Sequence, residues 1–393
     1  MKKKTILWLL ALCMLLTGCM SWMDGSYSWS EPHRNPGVSE DQGITSVEDY
    51  MQLRNALGQM VEKGEVTRTF SVARMPVETV ESNMRMAIHY ASYSHPVGAY
   101  AVDKIEYELG TSGGATAVVV TVAYNHNHSQ IKTIRNVHGM TAAKDKIYET
   151  LNTLGSDLIL KINDYEETDY AQLVRDYALE NPDMVMEVPQ VTASVYPGSG
   201  SVRVLELKFT YQTSRESLKL MQAYVQPKFS SAELFVKTEE DSSLKFARLY
   251  AFLMETTDYT VETSITPAYS LLRHGVGDSR AFASVFAAMC GRVGLDCRMI
   301  SGTRAGEPWF WNIICEDGVY YHVDLLRCYW EGSYQKLSDV DMAGYVWDYT
   351  AYPACVLPEE PTDETTDPTE EPGAEPSDGS ADPTEETTDP TEE

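Results

Sequence analysis

Apolar residues recur along the chain in two alternating rhythms. Over "VEDYMQLRNALGQMVEK" (47–63) and "VETVESNMRMAIHYAS" (77–92) they fall three and four apart, the spacing of an amphipathic helix. "VTRTFSVA" (66–73), "HPVGAYAVDKIEYEL" (95–109) and "ATAVVVTVAY" (115–124) are instead rich in β-branched and alternating apolar positions, and predict strands. The same succession returns about 90 residues later as "AAKDKIYETLNTLG", "SDLILKIN", "DYAQLVRDYALE", "NPDMVMEVPQVTASV" and "VRVLELKFTY". His95-Pro96 and Asn181-Pro182 follow matching helices and read as stops, because a proline disfavours helical backbone in the residue before it. Tyr124 and Tyr211 end matching strands. The pattern predicts two tandem α+β units of order αβαββ, at 46–135 and 136–228.

Helical spacing then resumes in "SRESLKLMQAYV" and "SSLKFARLYAFLMETTDY", the latter with Leu244, Ala247, Tyr250, Ala251 and Met254 on one face. A compact third region, 229–357, follows. "TSGGA" and "YPGSGS" each join two strand-like runs with no helix behind them, so they predict hairpin turns and not phosphate loops. His126 and His128 in "YNHNHSQ" lack an acidic or cysteine partner nearby and read as turn residues.

Both ends depart from globular composition. Lys2, Lys3 and Lys4 precede an apolar run from Ile6 to Leu16 and then "LTGC", a secretory signal whose last four residues resemble a bacterial lipobox. The run is shorter than the roughly 20 residues of a spanning helix, which favours cleavage. The resemblance implies a signal at 1–19 and lipidation of Cys19, so that acyl chains hold the protein to the outer face of a membrane. A Ser-, Gly- and Pro-containing tether is expected over 20–45. At the other end, 358–393 contains only Pro, Thr, Asp, Glu, Gly, Ala and Ser, with "ETTDPTEE" at 364–371 and again at 386–393. No core forms from such residues, so a disordered acidic tail is expected.

That tail holds fifteen of the acidic residues and no basic ones, leaving −12 of the net charge of −27 for the rest of the chain. An acidic surface of this kind argues against nucleic acid or other polyanions as partners. Of seven cysteines, Cys13 lies in the signal and Cys19 at the lipobox. Cys290, Cys297, Cys315, Cys328 and Cys355 fall late in the body, and an odd number leaves at least one thiol unpaired. Their spacing contains no C-x-x-C and no nearby His pair, so no zinc or other metal and no cofactor are expected.

The chemistry concentrates in "HGVGDSRAFASVF" (274–286), a Gly-x-Gly turn running into a helix with Ser279 at the junction. The longer string "AYSLLRHGVGDSRAFASVFAAMCGRVGLDCRMISGTRAGEPWFWNIICEDGVYYHVDLL" resembles the transglutaminase-like domain of the papain-like cysteine peptidase superfamily. Gly277, Ala283, Phe286, Gly294, Gly302, Trp311, Asn312, Tyr321, Val323 and Asp324 fall in register with it, and "FARLYAFLMETTDY" resembles its leading helix. "LSDVDMAGYVWDYTAYPAC" resembles the closing segment of Gram-positive lipoproteins that carry this domain. The resemblance covers about residues 240–356 and implies an α+β papain-like fold.

In that family a cysteine, a histidine and an aspartate perform acyl transfer. Carried over position by position, the cysteine falls on Ser279, the histidine on Trp309 and the aspartate on Asp324, so the triad positions are degenerate and only the orienting member is kept. An alcohol needs a base to take its proton, and an indole is a donor without useful basicity. Loss of one triad member removes a factor of about 10⁴ or more. His322, two residues before Asp324 on an apparent strand and so expected on the same face, and His274, in the turn before Ser279, are the two histidines that a relocated base would have to use. Cys290 shares a helical stripe with Ala283, Phe286 and Ala287 and reads as core. Asp278 and Ser279 are both favoured helix caps, with Gly294 able to close the same helix. Trp309 either fills the histidine slot or joins Trp311 in an aromatic platform for a ligand.

The sequence thus leads to an expectation of a membrane-anchored lipoprotein without triad catalysis. It would bind a peptide or cell-wall component, or hold an envelope protein assembly; a hydrolase or acyltransferase built on Ser279 is the competing class.

Overall fold

Each of the two front units folds as a four-stranded sheet covered by helices. The computed structural model describes residues 44–112, 115–238, 240–254 and 259–356; the signal with Cys19, nearly all of the expected tether and the acidic tail lie outside the described residues. The first sheet is built from β1 (Thr45–Ser46), β2 (Thr67–Ser71), β3 (Val102–Ser112) and β4 (Ala115–Tyr124), in the order β1-β2-β4-β3. Helices α1 (Tyr50–Glu62), α2 (Val77–His89) and the short α3 (Pro96–Ala101) accompany it. A short helix α4 (His128–Lys132) links to the second sheet of β5 (Arg135–His138), β6 (Asp157–Asn163), β7 (Gln190–Tyr196) and β8 (Val202–Thr210), with α5 (Gly139–Asn152) and α6 (Tyr170–Glu180). Its order, β5-β6-β8-β7, is the same arrangement, and in both sheets the first strand pairs parallel to the second while the rest pair antiparallel.

Two local features differ from the sequence pattern. Each unit begins with an edge strand, β1 or β5, that precedes the predicted αβαββ series; at two and four residues these are too short to show an alternating pattern. His95-Pro96 starts a helix where a stop was expected: Pro96 occupies the first turn of α3, where its missing N–H costs nothing, and His95 Nδ1 accepts from Gly98 N at 3.4 Å. Asn181 does cap the end of α6, its amide donating back to the Tyr177 carbonyl.

The long helix α7 (Arg215–Phe235) runs unbroken through Pro227, across the boundary expected at 228. Its buried Leu218, Val225, Phe229 and Ala232 all join the C-terminal core, together with α8 (Ser242–Met254) and α9 (Pro267–His274). That core closes around α10 (Ser279–Arg292), whose Phe282, Val285, Phe286 and Cys290 are fully buried. Two short strands, β9 (Thr260–Val261) and β10 (Val276–Gly277), pair parallel and lead into it. Against α10 lies a sheet of order β13-β12-β11-β14, from β11 (Cys297–Arg304), β12 (Glu307–Glu316), β13 (Val319–Val323) and β14 (Tyr345–Val346). A last helix, α11 (Leu325–Glu331), follows β13 directly. The whole is mixed α+β.

The parts share cores. Val204 of β8 is buried in the first unit's cluster, and Leu154 and Met186 of the second unit are buried in the C-terminal one. Ser284 Oγ on α10 donates to the Leu179 carbonyl on α6 at 2.6 Å, and Arg292 pairs with Asp183 at 2.6 Å.

Candidate functional site

The "HGVGDS" turn owes its shape to three residues with separate tasks. Gly275 ends α9 in the left-handed region at φ 67°, where a Cβ would be strained. Gly277 pairs in β10, with the Leu271 side chain 3.0 Å from where its Cβ would stand. Asp278 is the cap of α10: its Oδ1 accepts from Ala281 N at 3.0 Å. Capping therefore falls to Asp278, leaving the Ser279 hydroxyl free for something else.

That something is the sheet. Ser279 is only 7% exposed, and its Oγ accepts the Phe310 backbone N–H at 3.2 Å. The β12–β13 ladder stops at Asn312 and Val323, so Phe310 lies beyond its end and has no strand partner on that side. Ser279 supplies the missing acceptor. Two residues along β12, Asn312 Nδ2 donates to the Ala283 carbonyl at 2.9 Å and fastens the same strand to the same helix.

Trp309 and Asp324 meet directly. The indole Nε1–H donates to Asp324 Oδ2 at 2.8 Å, and the Tyr345 hydroxyl donates to the same oxygen at 2.6 Å. Asp324 Oδ1 accepts from Leu326 N and Arg327 N at 3.1 and 3.2 Å, so this 1% exposed carboxylate also caps α11 and meets its positive end. Burial and the adjacent carboxylate raise the Tyr345 phenol above its ordinary range, which keeps it a donor. Arg304 completes the enclosure with Nη1 3.6 Å from Asp324 Oδ2. Its guanidinium lies 5.2 Å from the Trp309 ring centre and 5.3 Å from those of Trp330 and Tyr345. The Asp324 carboxylate thus holds an indole, a phenol, a guanidinium and a helix end.

Neither histidine serves Ser279. His322 is wholly buried in a different network: its Nδ1 accepts from Trp311 Nε1 at 3.0 Å, which places the proton on Nε2, 2.9 Å from Asp339 Oδ1. Burial lowers its pKa, against the pull of Asp339. Asp324 lies past the end of β13, so the shared strand face expected for His322 and Asp324 does not form. His274 is exposed and rests edge-on against Tyr269 at 5.5 Å. The five late cysteines carry no disulfide. Burial pushes the Cys290 thiol far up, Cys328 to about 11 and Cys355 to about 12, so these three stay protonated near neutrality.

Trp311 belongs to no ligand platform: it is completely enclosed, with Gly302 against its ring and Tyr345 and Trp347 edge-on to it. Trp309 faces Asp324 and Trp330, and its neighbour Phe310 lines the cleft toward α6. The cluster of His322, Asp339 and Cys355, whose ligand atoms lie within 4.8 Å of one another, was not legible in spacing because it gathers from a strand, a 3₁₀ turn and the loop at Cys355. A cation there would need the Nε2 lone pair, while the Trp311 N–H already claims the other ring nitrogen. As it stands, the donor set is built to hold a proton between His322 and Asp339. Arg304, Trp330, Tyr345 and Asp339 carried no sequence signal, since each is defined only by what it surrounds.

Residues 230–359 match the family model of the transglutaminase-like superfamily, so a transglutaminase-like domain is present. Among solved structures, one described as a TGase aligns at 10% identity with a TM-score of 0.23, over 53% of this chain and 64% of its own. A candidate cysteine protease from Cytophaga hutchinsonii aligns at 16% identity and TM-score 0.23, over 40% of this chain and 70% of its own. A candidate protease from Parabacteroides distasonis ATCC 8503 aligns at 8% identity and TM-score 0.21, over 65% of this chain and 40% of its own. The chain thus spans less than two thirds of the first of these structures. No curated protein matches it.

Proposed function

We propose that this protein is a lipoprotein anchored through Cys19 on the extracytoplasmic side of a cell membrane, and that its transglutaminase-like domain acts without acyl-transfer chemistry. Its role is to bind a peptide or cell-wall ligand, or to scaffold an envelope protein. The bond from Trp309 Nε1 to Asp324 Oδ2, at 2.8 Å, carries the reading. It puts a non-basic ring on the carboxylate that would orient a histidine, so that no triad base faces Ser279 among the described residues. The Ser279 hydroxyl supports the same reading from the other side, since it accepts the Phe310 amide N–H. The basic and apolar start of the chain with "LTGC" supports the anchor.

The register is tested by rebuilding the pair. In Ser279→Cys with Trp309→His, an imidazole held by Asp324 beside a thiol at the start of α10 should yield a thiolate that titrates below about pH 8. Ser279→Cys alone should not show that shift. Identical thiol titrations in the single and double variants would contradict the assignment of these three positions.

A further inference from the structure

A second site lies on the other side of β12 from Trp309. Between α6 and the surface formed by α10, β11 and β12 is a cleft of about 910 Å³, with Phe310 on one wall. Its size is near the upper end for pockets that enclose small molecules, and larger than one amino acid needs. Two contacts fix its walls relative to each other: the Ser284 hydroxyl on the Leu179 carbonyl and the Arg292–Asp183 pair, each at 2.6 Å. A cleft held open in this way loses little entropy when it takes a ligand.

The walls differ in charge. On α6, Asp176 and Glu180 stand one turn apart, outnumbering the one basic residue of that wall, Arg175, which donates to Gln172 Oε1 at 3.2 Å. Asp176 accepts only the neutral amide of Gln172, at 2.6 Å, and Glu180 has no ion pair or hydrogen bond among the described residues. Partial burial and the neighbouring Asp176 raise the Glu180 carboxyl above its ordinary value. The opposite wall lines the cleft with no acid and carries Arg280, Arg298 and Arg292, the last already paired with Asp183. Arg280 lies over the Phe310 ring at 5.7 Å and approaches Asp278 no closer than 3.6 Å; its buried Nε has no partner among the described residues. Arg298 gives two donors to Asp296 at 3.1 and 3.2 Å and keeps the others.

A simple anion in this cleft would meet Asp176 and Glu180, and a simple cation would meet the arginines. We propose that the cleft binds a short peptide with both termini free, its carboxylate on Arg280 with Arg298 nearby and its ammonium between Asp176 and Glu180. A ligand with separated opposite charges satisfies both walls, and the guanidinium fork of Arg280 suits a carboxylate. This gives the binding role above its ligand class and rests on that role; it does not depend on the state of Asp324.

The probe is an equimolar pool of Ala-X-Ala tripeptides with free termini, offered at millimolar concentration to the full chain and followed by saturation-transfer NMR. The free pool should bind, and N-acetylated or C-amidated pools should bind at least about tenfold more weakly, the size of one lost charge-assisted bond. Glu180→Gln should remove the preference for a free amine only, and Arg280→Gln that for a free carboxylate only. No binding of the free pool, or equal binding of blocked and free pools, overturns the proposal. Reaction of Ser279 with an acylating or phosphonylating probe would sink the non-catalytic reading without altering these preferences, so the two failures are separable.

Discussion

The Trp309 indole donates to the Asp324 carboxylate across 2.8 Å, and the same carboxylate caps α11 through its second oxygen. One side chain therefore joins a strand, a helix start and, through Tyr345, the edge strand β14. Asp324→Ala strands the donors of Trp309 and Tyr345 together and removes a cap. It should cost about 3–5 kcal/mol, the range for breaking a buried charged pair. Asp324→Asn keeps an oxygen for the α11 amides and should fall between. Urea midpoints of the three proteins measure this, and an alanine variant as stable as wild type would refute the structural role of Asp324.

His322 gives the fold a pH dependence of known sign. Its folded pKa is lowered from 6.5 by burial, so below about pH 6.5 the unfolded chain binds a proton that the native state refuses. The stability it supports is complete above that pH and is lost as pH falls from there toward the folded value. Asp339 and Cys355 are the titratable groups clustered with it, and Trp311 and Trp347 pack on its ring. His322→Gln should be less stable at pH 7.5 yet show a flatter fall between pH 6.5 and 5. Parallel slopes for the two proteins would exclude His322 as the source.

Arg304 is held by three rings, with one nitrogen near Asp324. Arg304→Ala should cost about 1–2 kcal/mol, as cation–π contacts of partly buried arginines do, and admit water to Trp309 and Trp330. A red shift of tryptophan emission with the fold retained is the expected signature. Unchanged emission and an unchanged urea midpoint would mean that the enclosure contributes nothing.

Gly302 has ordinary extended backbone but no room. A Cβ there would stand 2.3 Å from the Val346 carbonyl and 2.7 Å from the Trp311 ring, one on the edge strand and one in the core. Gly302→Ala should therefore destabilise by about 1–3 kcal/mol through forced displacement of β14 or Trp311. Thermal unfolding reads this directly, and a neutral substitution would show that β14 is not fixed where it lies.

Some of this was legible in the chain and some was not, for physical reasons. Apolar spacing reaches α1, α2, α5, α6 and the longer strands, because each buries one face against a core. It misses β1, β5 and β14, whose two to four residues are held by a neighbouring ladder and not by their own pattern. The string around Ser279 announces its turn and helix, since Gly275, Gly277 and Asp278 are demanded by local geometry. What Ser279 and Trp309 do could not be read, because their partners, the Phe310 amide and Asp324, lie 31 and 15 residues away along the chain. Sequence spacing placed His322 and Asp324 on one face; the switch from strand to helix between them sends them into separate networks.

The central claim is that Ser279 is a structural acceptor without a base. It is tested most directly by exposing the purified full chain to a serine-directed fluorophosphonate beside Ser279→Ala. The account predicts labelling of the wild type no greater than that of the variant. Stoichiometric labelling of the wild type that Ser279→Ala abolishes would contradict it.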